Sequence, residues 1–346
     1  MNKSLPQDWR NGSGDTGRAR IAVVIPYYQI DAGFLVRALQ SVASQTILET
    51  GCSIDVLIVD DHSPHSPNSE LEGFDQPPGL RTQLLQTQRN GGPAVARNVG
   101  LHSVVVDTDF VAFLDSDEVW TPNHLENALR TLTGASRDVY FSNYLRSDWT
   151  SDKFTITGFG DGHEPFDIER RLFLFSGCPL EEVLLKATVR IQTCVVRWAM
   201  VKELRFQESL MIGEDSEYVA SAATRYGCGL CFSQSVETIE ERVGVNVSQN
   251  RTGDTNKERQ VRLRMLQYQV YLQREVDLPT PLVEKVSEAL SEARYNALRA
   301  VLAPGSVCSR AGALARAVRI DHGFPLYVIR KVIESLRNAP KKTLSL

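Results

Sequence analysis

Long apolar runs are missing from this chain: nowhere do about 18 consecutive apolar residues stand together, the length that a bilayer-spanning helix needs. The opening stretch, MNKSLPQDWRNGSGDTGRAR, has no apolar core of the kind a secretory leader carries, so a cytosolic protein is expected. An excess of one charge is missing too. Lys and Arg number 38 against 42 Asp and Glu, a net charge of −4 over 346 residues, and no global field draws such a chain onto nucleic acid. Cysteines are six and scattered, with one C-x-x-C at Cys228 and Cys231 and no second pair to complete a zinc site. They read as reduced thiols, and Leu230 and Phe232 place the C-x-x-C in an apolar strand where nothing lowers a thiol pKa. Aromatic residues are 8% of the chain, but 42% hydrophobic and 23% charged residues are ordinary proportions for a globular protein, which excludes a disordered or fibrous one.

Residues 1–19 are rich in Gly, Ser, Asn, Asp and Arg without periodicity and are expected to be a disordered tail. From Arg20 to about residue 115, short apolar runs alternate with segments of helical period. These are IAVVI (21–25), a helix around 33–45, IDVLIV (54–59), QLLQ (83–86), a helix from Pro93 and FVAFL (110–114). This rhythm predicts an α/β fold with a parallel sheet, and uninterrupted apolar strands mean that both sheet faces are covered. Leu35, Ala38, Leu39 and Val42 make the stripe of a helix packed on that sheet. Thr121-Pro122 predicts a further helix, threonine as cap and proline at the first helical position, with Leu125, Ala128, Leu129 and Leu132 as its stripe. DVYFSN (138–143) and IQTCVV (191–196) read as strands, separated by a stretch holding Gly158, Gly160 and Gly162 that reads as a mobile loop. From about 255 the pattern is helical, over 256–275, 281–302 and a last segment in which Leu326, Ile329, Val332, Ile333 and Leu336 share a face. The expected division is a tail (1–19), a domain over 20–245 with halves 20–117 and 118–245, and a helical C-terminal extension over 246–346. There is no internal repeat.

Polar clusters follow the strands, where an open α/β sheet presents its carboxyl ends to ligands. Pro26-Tyr27-Tyr28 follows IAVVI and Asp60-Asp61 follows IDVLIV; a carboxylate over an aromatic or proline surface suits a nucleotide base, while turn capping explains the two acids equally well. In Arg89-Asn90-Gly91-Gly92-Pro93-Ala94-Val95-Ala96-Arg97-Asn98 the glycines allow close backbone approach and Pro93 starts a helix. Arg97 lies one turn in, an arrangement suited to an anion, the alternative being an arginine on a solvated face. FVAFLDSDE sets Asp115 and Asp117 at the end of a very apolar strand, where carboxylates cost desolvation unless a cation balances them. A hard divalent ion shared with a diphosphate does so; helix capping is the alternative. Gly213-Glu214-Asp215 puts two carboxylates at a helix start, where one caps the helix or serves as a general base.

Taken in order, PYY, VDD, NGGPAVARN, DSD and GED resemble the inverting nucleotide-sugar glycosyltransferases of family 2, over about residues 20–240. The N-G-G-P-A-x-A-R-N turn and the IPYYQ opening are most similar to bacterial exopolysaccharide glucosyltransferases of the succinoglycan type. The resemblance implies a GT-A fold, Rossmann-like, with a mostly parallel central sheet and flanking helices. It implies a UDP-sugar donor and Mn²⁺ or Mg²⁺, with Asp60, and with less weight Asp61, holding uracil and Pro26, Tyr27 and Tyr28 lining the nucleoside. Asn90, Gly91 and Arg97 would orient the donor, Asp115 and Ser116 would contact it, and Asp117, with Asp115, would hold the metal. Asp215, helped by Glu214, would take the proton from the acceptor hydroxyl. Processive members add Q-x-x-R-W and membrane helices. Here Arg197-Trp198 has Cys194 where the glutamine would stand, which implies single addition. Two departures are His62 after VDD, where the family usually has glycine, and Glu118 in place of a third aspartate.

The reading that follows is one-step transfer of a sugar, glucose by the finer resemblance, to a polyprenyl-diphosphate-linked oligosaccharide with inversion to a β-linkage. A glycosidase would need two carboxylates but no diphosphate site, and a nucleotidyltransferase would carry a glycine-rich loop where IAVVIPYYQ has proline and tyrosines. The rival from another class is a catalytically silent nucleotide-sugar-binding or scaffold protein of a polysaccharide assembly complex. Trp120 and Gln192 are expected acceptor contacts. The segment 324–342 joins an apolar face to Arg330, Lys331, Arg337, Lys341 and Lys342, which suits peripheral contact with the cytoplasmic face of the inner membrane; packing on the protein or in a homodimer is the alternative.

Overall fold

A computed structural model describes residues 18–241 and 255–337, in two compact units divided at Asn246/Val247. Of the expected tail only Arg18 and Ala19 fall within the described residues, and the end of the 324–342 segment lies outside them.

The first unit opens with strands β1 (Arg20–Tyr27), β2 (Ser53–Asp60), β3 (Leu80–Gln86) and β4 (Phe110–Phe113), all parallel in the order β3-β2-β1-β4. Between them run helices α1 (Phe34–Ala43), α2 (Asn68–Leu71) and α3 (Pro93–His102). The apolar stripe of α1 is buried as its spacing requires, Leu35, Ala38, Leu39 and Val42 all being excluded from solvent; each such leucine contributes roughly 1.5–3 kcal/mol. Its N-terminus is held by a buried carboxylate from α2: Glu70 accepts hydrogen bonds from the Gly33 N–H at 2.9 Å and from the Tyr27 hydroxyl at 2.9 Å. On the other helix layer α3 lies so close to β1 that a Cβ at Gly100 would stand 2.5 Å from Val24 Cγ1.

The chain continues through β5 (Glu118–Trp120), α4 (His124–Gly134), β6 (Val139–Arg146), α5 (Lys153–Thr157), β7 (Glu164–Asp167), β8 (Leu172–Leu174), β9 (Cys194–Arg197), α6 (Trp198–Val201), α7 (Glu214–Arg225) and β10 (Leu230–Glu240). These strands extend the sheet to β3-β2-β1-β4-β9-β6-β10-β8-β7, with β5 paired to β10. Strands β5, β8 and β9 run against the other seven, so the sheet is mostly parallel in direction.

Two local expectations are corrected. Helix α4 begins at His124, with Asn123 rather than Thr121 as its flanking residue. The reason is that the Thr121 N–H donates to the Glu237 carbonyl at 2.8 Å, which commits Thr121-Pro122 to a turn ahead of the helix. The stretch read as one mobile loop is largely ordered: Gly158 ends α5 at φ 63, and residues 164–174 form the β7–β8 hairpin on β10. Strands of three and four residues are too short to leave a readable alternation, and what fixes them is packing of Phe159 and Phe173 on Phe232.

The second unit is helical: α8 (Thr255–Glu275), α9 (Thr280–Leu302), α10 (Val307–Ile320) and α11 (Phe324–Arg337). Leu263, Leu266, Val270, Leu290, Ala297, Val301 and Phe324 form its core. Among the described residues no helix is long and apolar enough to cross a membrane.

Candidate active site

Strand order dictates what meets at the carboxyl edge of the sheet. Because β1 lies between β2 and β4, the segments Pro26–Tyr28, Asp60–Asp61 and Asp115–Asp117 emerge side by side. Alternation along β1 decides which tyrosine faces outward. Tyr28 is 37% exposed, whereas Tyr27 is fully buried with its hydroxyl on Glu70. The expectation that Tyr27 lines the nucleoside is therefore corrected: its ring is core.

The two acids after β2 do different work. Asp60 accepts from the Ser63 N–H at 2.8 Å and from Gln86 Nε2 at 3.1 Å. Asp61 accepts from the Gly91 N–H at 2.9 Å, the Gly92 N–H at 2.7 Å and the Thr87 hydroxyl at 2.8 Å, which ties the Asn90-Gly91-Gly92 turn down onto β2. Gly92 sits at φ 88, a left-handed value that glycine reaches without strain. Asn90 stays exposed at the tip of that turn. His62 also takes a left-handed φ, 57, and its Nε2 lies 2.9 Å from the Thr87 carbonyl oxygen. The departure from glycine at this position thus keeps the backbone conformation glycine would supply.

Arg97 and Asn98 join the two halves of the domain. Buried Arg97 donates from Nη2 to Asp115 Oδ1 at 2.7 Å and from Nη1 to Glu214 Oε1 at 3.1 Å. Burial works against its charge, yet Asp115, Glu214 and Asp215 outweigh that and hold its pKa above the usual arginine range. Asn98 exchanges hydrogen bonds with the Phe206 backbone, at 2.9 and 2.8 Å, and pins the segment that leads into α7. Phe206 in turn stacks on Tyr218 of α7, ring centroids 4.1 Å apart. Asn98 was not singled out by sequence, although its place beside Arg97 in the N-G-G-P-A-x-A-R-N run was a usable signal.

The Asp115–Asp117 turn divides by face. Asp115 and Asp117 are partly exposed, while Ser116 is buried and accepts from Gln29 Nε2 at 3.0 Å. Ser116 is therefore corrected from donor contact to internal brace. Gln29, another residue missed by sequence, spans β1 and this turn, and its Oε1 has no hydrogen-bond partner among the described residues. Glu118 faces Glu240 across the β5–β10 pair, and burial, then Asp115, Asp117 and Glu240, push its pKa well above the usual carboxylate range. Gln192 Nε2 donates to Glu118 Oε1 at 3.0 Å, and Trp120 Nε1 donates to the Gln192 carbonyl at 2.8 Å. Both side chains are buried, so Trp120 and Gln192 are corrected from acceptor contacts to supports beneath the site.

Asp215 stands in the first turn of α7, behind Gly213 at φ 85. Its Oδ1 accepts from the Ser216 N–H at 2.8 Å, and Oδ2 lies 3.6 Å from Arg190 Nη1. Burial and the charge of Asp215 push the Glu214 carboxyl up to about 7, against the pull of Arg97. Among the described residues no three His, Cys, Asp or Glu side chains form a ready-made metal centre. The donor set still fits a hard divalent ion, which takes one or two carboxylates and completes its shell with phosphate oxygens and water. Asp115 commits one oxygen to Arg97 and keeps its side chain 31% exposed beside Asp117.

Residues 22–181 match the family model of glycosyl transferase family 2. That match takes in just under half of the chain. Over 199 residues it is 35% identical to the succinoglycan biosynthesis protein ExoW of Rhizobium meliloti, covering 57% of this chain and 61% of ExoW. Similarity to the succinoglycan biosynthesis protein ExoO of the same organism is 27% over 217 residues, 58% of this chain and 54% of ExoO. The chain thus spans less than two thirds of the length of these curated relatives. In three dimensions it resembles S. aureus TarS 1-349 in complex with UDP-GlcNAc, with a TM-score of 0.59 at 19% identity over 92% of this chain and 91% of that one. It also resembles the mannosyltransferase PcManGT from Pyrobaculum calidifontis in complex with GDP-Man and Mn2+, TM-score 0.55 at 17% identity, covering 92% and 87%. The fold is accordingly GT-A-like, as the motif series implied.

Proposed function

We propose that this protein is an inverting glycosyltransferase that moves one sugar from a UDP-sugar to a growing, lipid-linked exopolysaccharide repeat unit. The observation that carries the reading is the Arg97 bridge, which brings the carboxylate at the end of β4 and the acidic start of α7 to one guanidinium. A donor site and a general base must lie that near each other but on separate elements. Succinoglycan biosynthesis in the names of ExoW and ExoO supports the exopolysaccharide part, and glucose is the donor sugar favoured by the succinoglycan-type motif series.

In this reading Asp60 and Tyr28, with Pro26, seat the nucleoside, and Gly91 and Asn90 border the donor. Asp117 and Asp115 would hold Mn²⁺ or Mg²⁺, which when bound supplies positive charge to the departing diphosphate. Asp215 accepts the proton of the attacking acceptor hydroxyl as the new C–O bond forms and the bond to the nucleoside diphosphate breaks. Attack and departure on opposite faces of the anomeric carbon convert an α-linked donor to a β-linked product. The helical unit contributes membrane contact: Leu326, Ile329, Val332 and Ile333 stand exposed on α11 beside Arg330 and Lys331, a pattern that suits an anionic bilayer surface.

The test is UDP release from UDP-glucose, UDP-galactose and UDP-N-acetyl sugars with Mn²⁺, with and without oligosaccharide or lipid-linked acceptor. Acceptor-stimulated release is expected. Asp117→Ala and Asp215→Ala should each lower it by about 100-fold or more. Tight UDP-sugar binding without turnover under any of these conditions would instead make the protein a silent binding module.

A further inference from the structure

Asp215 is not held by Arg97, whose guanidinium is committed to Asp115 and Glu214. The cation recorded within ion-pair distance of Asp215 comes from elsewhere: Arg190, in the segment just before the 3-10 turn Ile191–Thr193. Its backbone is fixed, because the Arg190 carbonyl accepts from the Thr193 N–H at 3.0 Å, the Thr193 hydroxyl at 2.7 Å and Cys194 Sγ at 3.2 Å. Its head group is slack by comparison. Nη1 stands 3.6 Å from Asp215 Oδ2, Nε stands 3.4 Å from the Tyr144 hydroxyl, and 38% of the side chain is open. A firm hydrogen bond to a carboxylate would be about 2.7–2.9 Å.

A guanidinium with an anchored root and a loosely engaged head, set against the oxygen that must collect a proton, is built to steer that oxygen. We propose, resting on the glycosyltransferase reading above, that Arg190 is the positioning residue of the general base. It holds Asp215 Oδ2 toward the acceptor. In the transfer step the acceptor O–H bond breaks, its proton goes to Asp215 Oδ2, and its electron pair forms the bond to the anomeric carbon. The electron pair of the bond broken there leaves with the nucleoside diphosphate. Arg190 touches none of these atoms and acts through Asp215.

The charged and titratable groups that face Asp215 are Glu214 on its own helix, Arg97 from α3, the buried and neutral Cys194 thiol from β9 and Arg190. Beyond Arg190 lie Tyr144 from β6 and Glu240 from β10. Replacing Arg190 by a neutral residue removes the cation 3.6 Å from the carboxylate, so the acid limb of the pH–rate profile moves to higher pH.

The experiment measures kcat, donor KM and the pH profile of acceptor-dependent UDP release for wild type, Arg190→Gln and Arg190→Lys. Arg190→Gln should lose about 10–100-fold in kcat with donor KM within about twofold, and its acid limb should move up by about one pH unit. Arg190→Lys, which keeps the charge, should return the acid limb to the wild-type position and recover part of kcat. A wild-type kcat and acid limb in Arg190→Gln overturn the inference, as does a raised donor KM with an unmoved limb, which would assign Arg190 to the donor. Absence of turnover in the wild type would instead defeat the glycosyltransferase reading on which the inference stands.

Discussion

At Glu214 a buried carboxyl sits between an arginine and another acid, and the two neighbours pull its proton affinity in opposite directions. Burial and Asp215 prevail and raise the pKa from 4.5 to about 7. In the folded chain Glu214 therefore holds its proton to higher pH than in the unfolded chain. The folded state binds more protons between about pH 4.5 and 7, so this contribution to stability is full below that window and is lost as pH rises through it. Glu214→Gln cannot titrate. Denaturant unfolding at pH 5 and pH 7.5 should show the variant losing less stability across that interval than wild type; equal losses would contradict the assignment. Acidic clusters at strand ends and helix starts are legible in sequence because few other residue types are placed there. Their partners are not. Nothing in the spacing of Arg97 reveals that Asp115, 18 residues on, and Glu214, 117 residues on, share its guanidinium. The burial of Trp120 and Gln192 is hidden from sequence for a related reason: a polar edge near a motif does not tell whether the side chain faces the cleft or lies beneath it.

At the level of the element, the loops that close the site depend on backbone conformations that few residues adopt. His62 takes φ 57 directly after the Asp60-Asp61 pair. A side chain costs roughly 1–2 kcal/mol in that region, and here it is partly offset by the bond between the His62 ring and Thr87. Both His62→Ala and His62→Gly remove that bond, but only glycine also removes the steric cost. Thermal melts should place His62→Gly above His62→Ala by an amount equivalent to about 1 kcal/mol; the reverse order would mean that the turn is not held left-handed in solution. Strands β1, β2 and β4 and helices α1 and α3 were readable because long apolar runs and clean helical stripes leave little choice of period. The three-residue β5 and β8 were not, since so few residues carry no period and their pairing with β10 is decided by contacts distant in sequence. Helix α10 was covered only by a general helical drift, its two buried residues being the alanines Ala313 and Ala317.

Over the whole molecule, an α/β unit and a helical unit follow one another in the chain, and the second leaves an apolar helix face exposed. Leu326 is 72% and Ile329 56% exposed, with Arg330 and Lys331 alongside. On the proposed membrane role, the full chain should float with anionic phosphatidylglycerol vesicles, and the double substitution Leu326→Asp/Ile329→Asp should abolish flotation. A wild type that stays in the dense fraction, or a double variant that floats equally well, contradicts that role. The helical character of the last part of the chain was legible from the change of period near residue 255, whereas the destination of the exposed face is a property of charge and surface that periodicity does not encode.

In the proposed function everything turns on Asp115 and Asp117 holding a divalent cation against the donor diphosphate. Calorimetric titration of UDP into the full chain, with Mn²⁺ and then with a chelator, tests it most directly. Wild type should bind UDP at least about 10-fold more tightly with Mn²⁺, and Asp117→Ala should bind weakly and equally in both conditions. Equal affinity of wild type with and without the ion, or an undiminished Mn²⁺ effect in Asp117→Ala, would contradict the account.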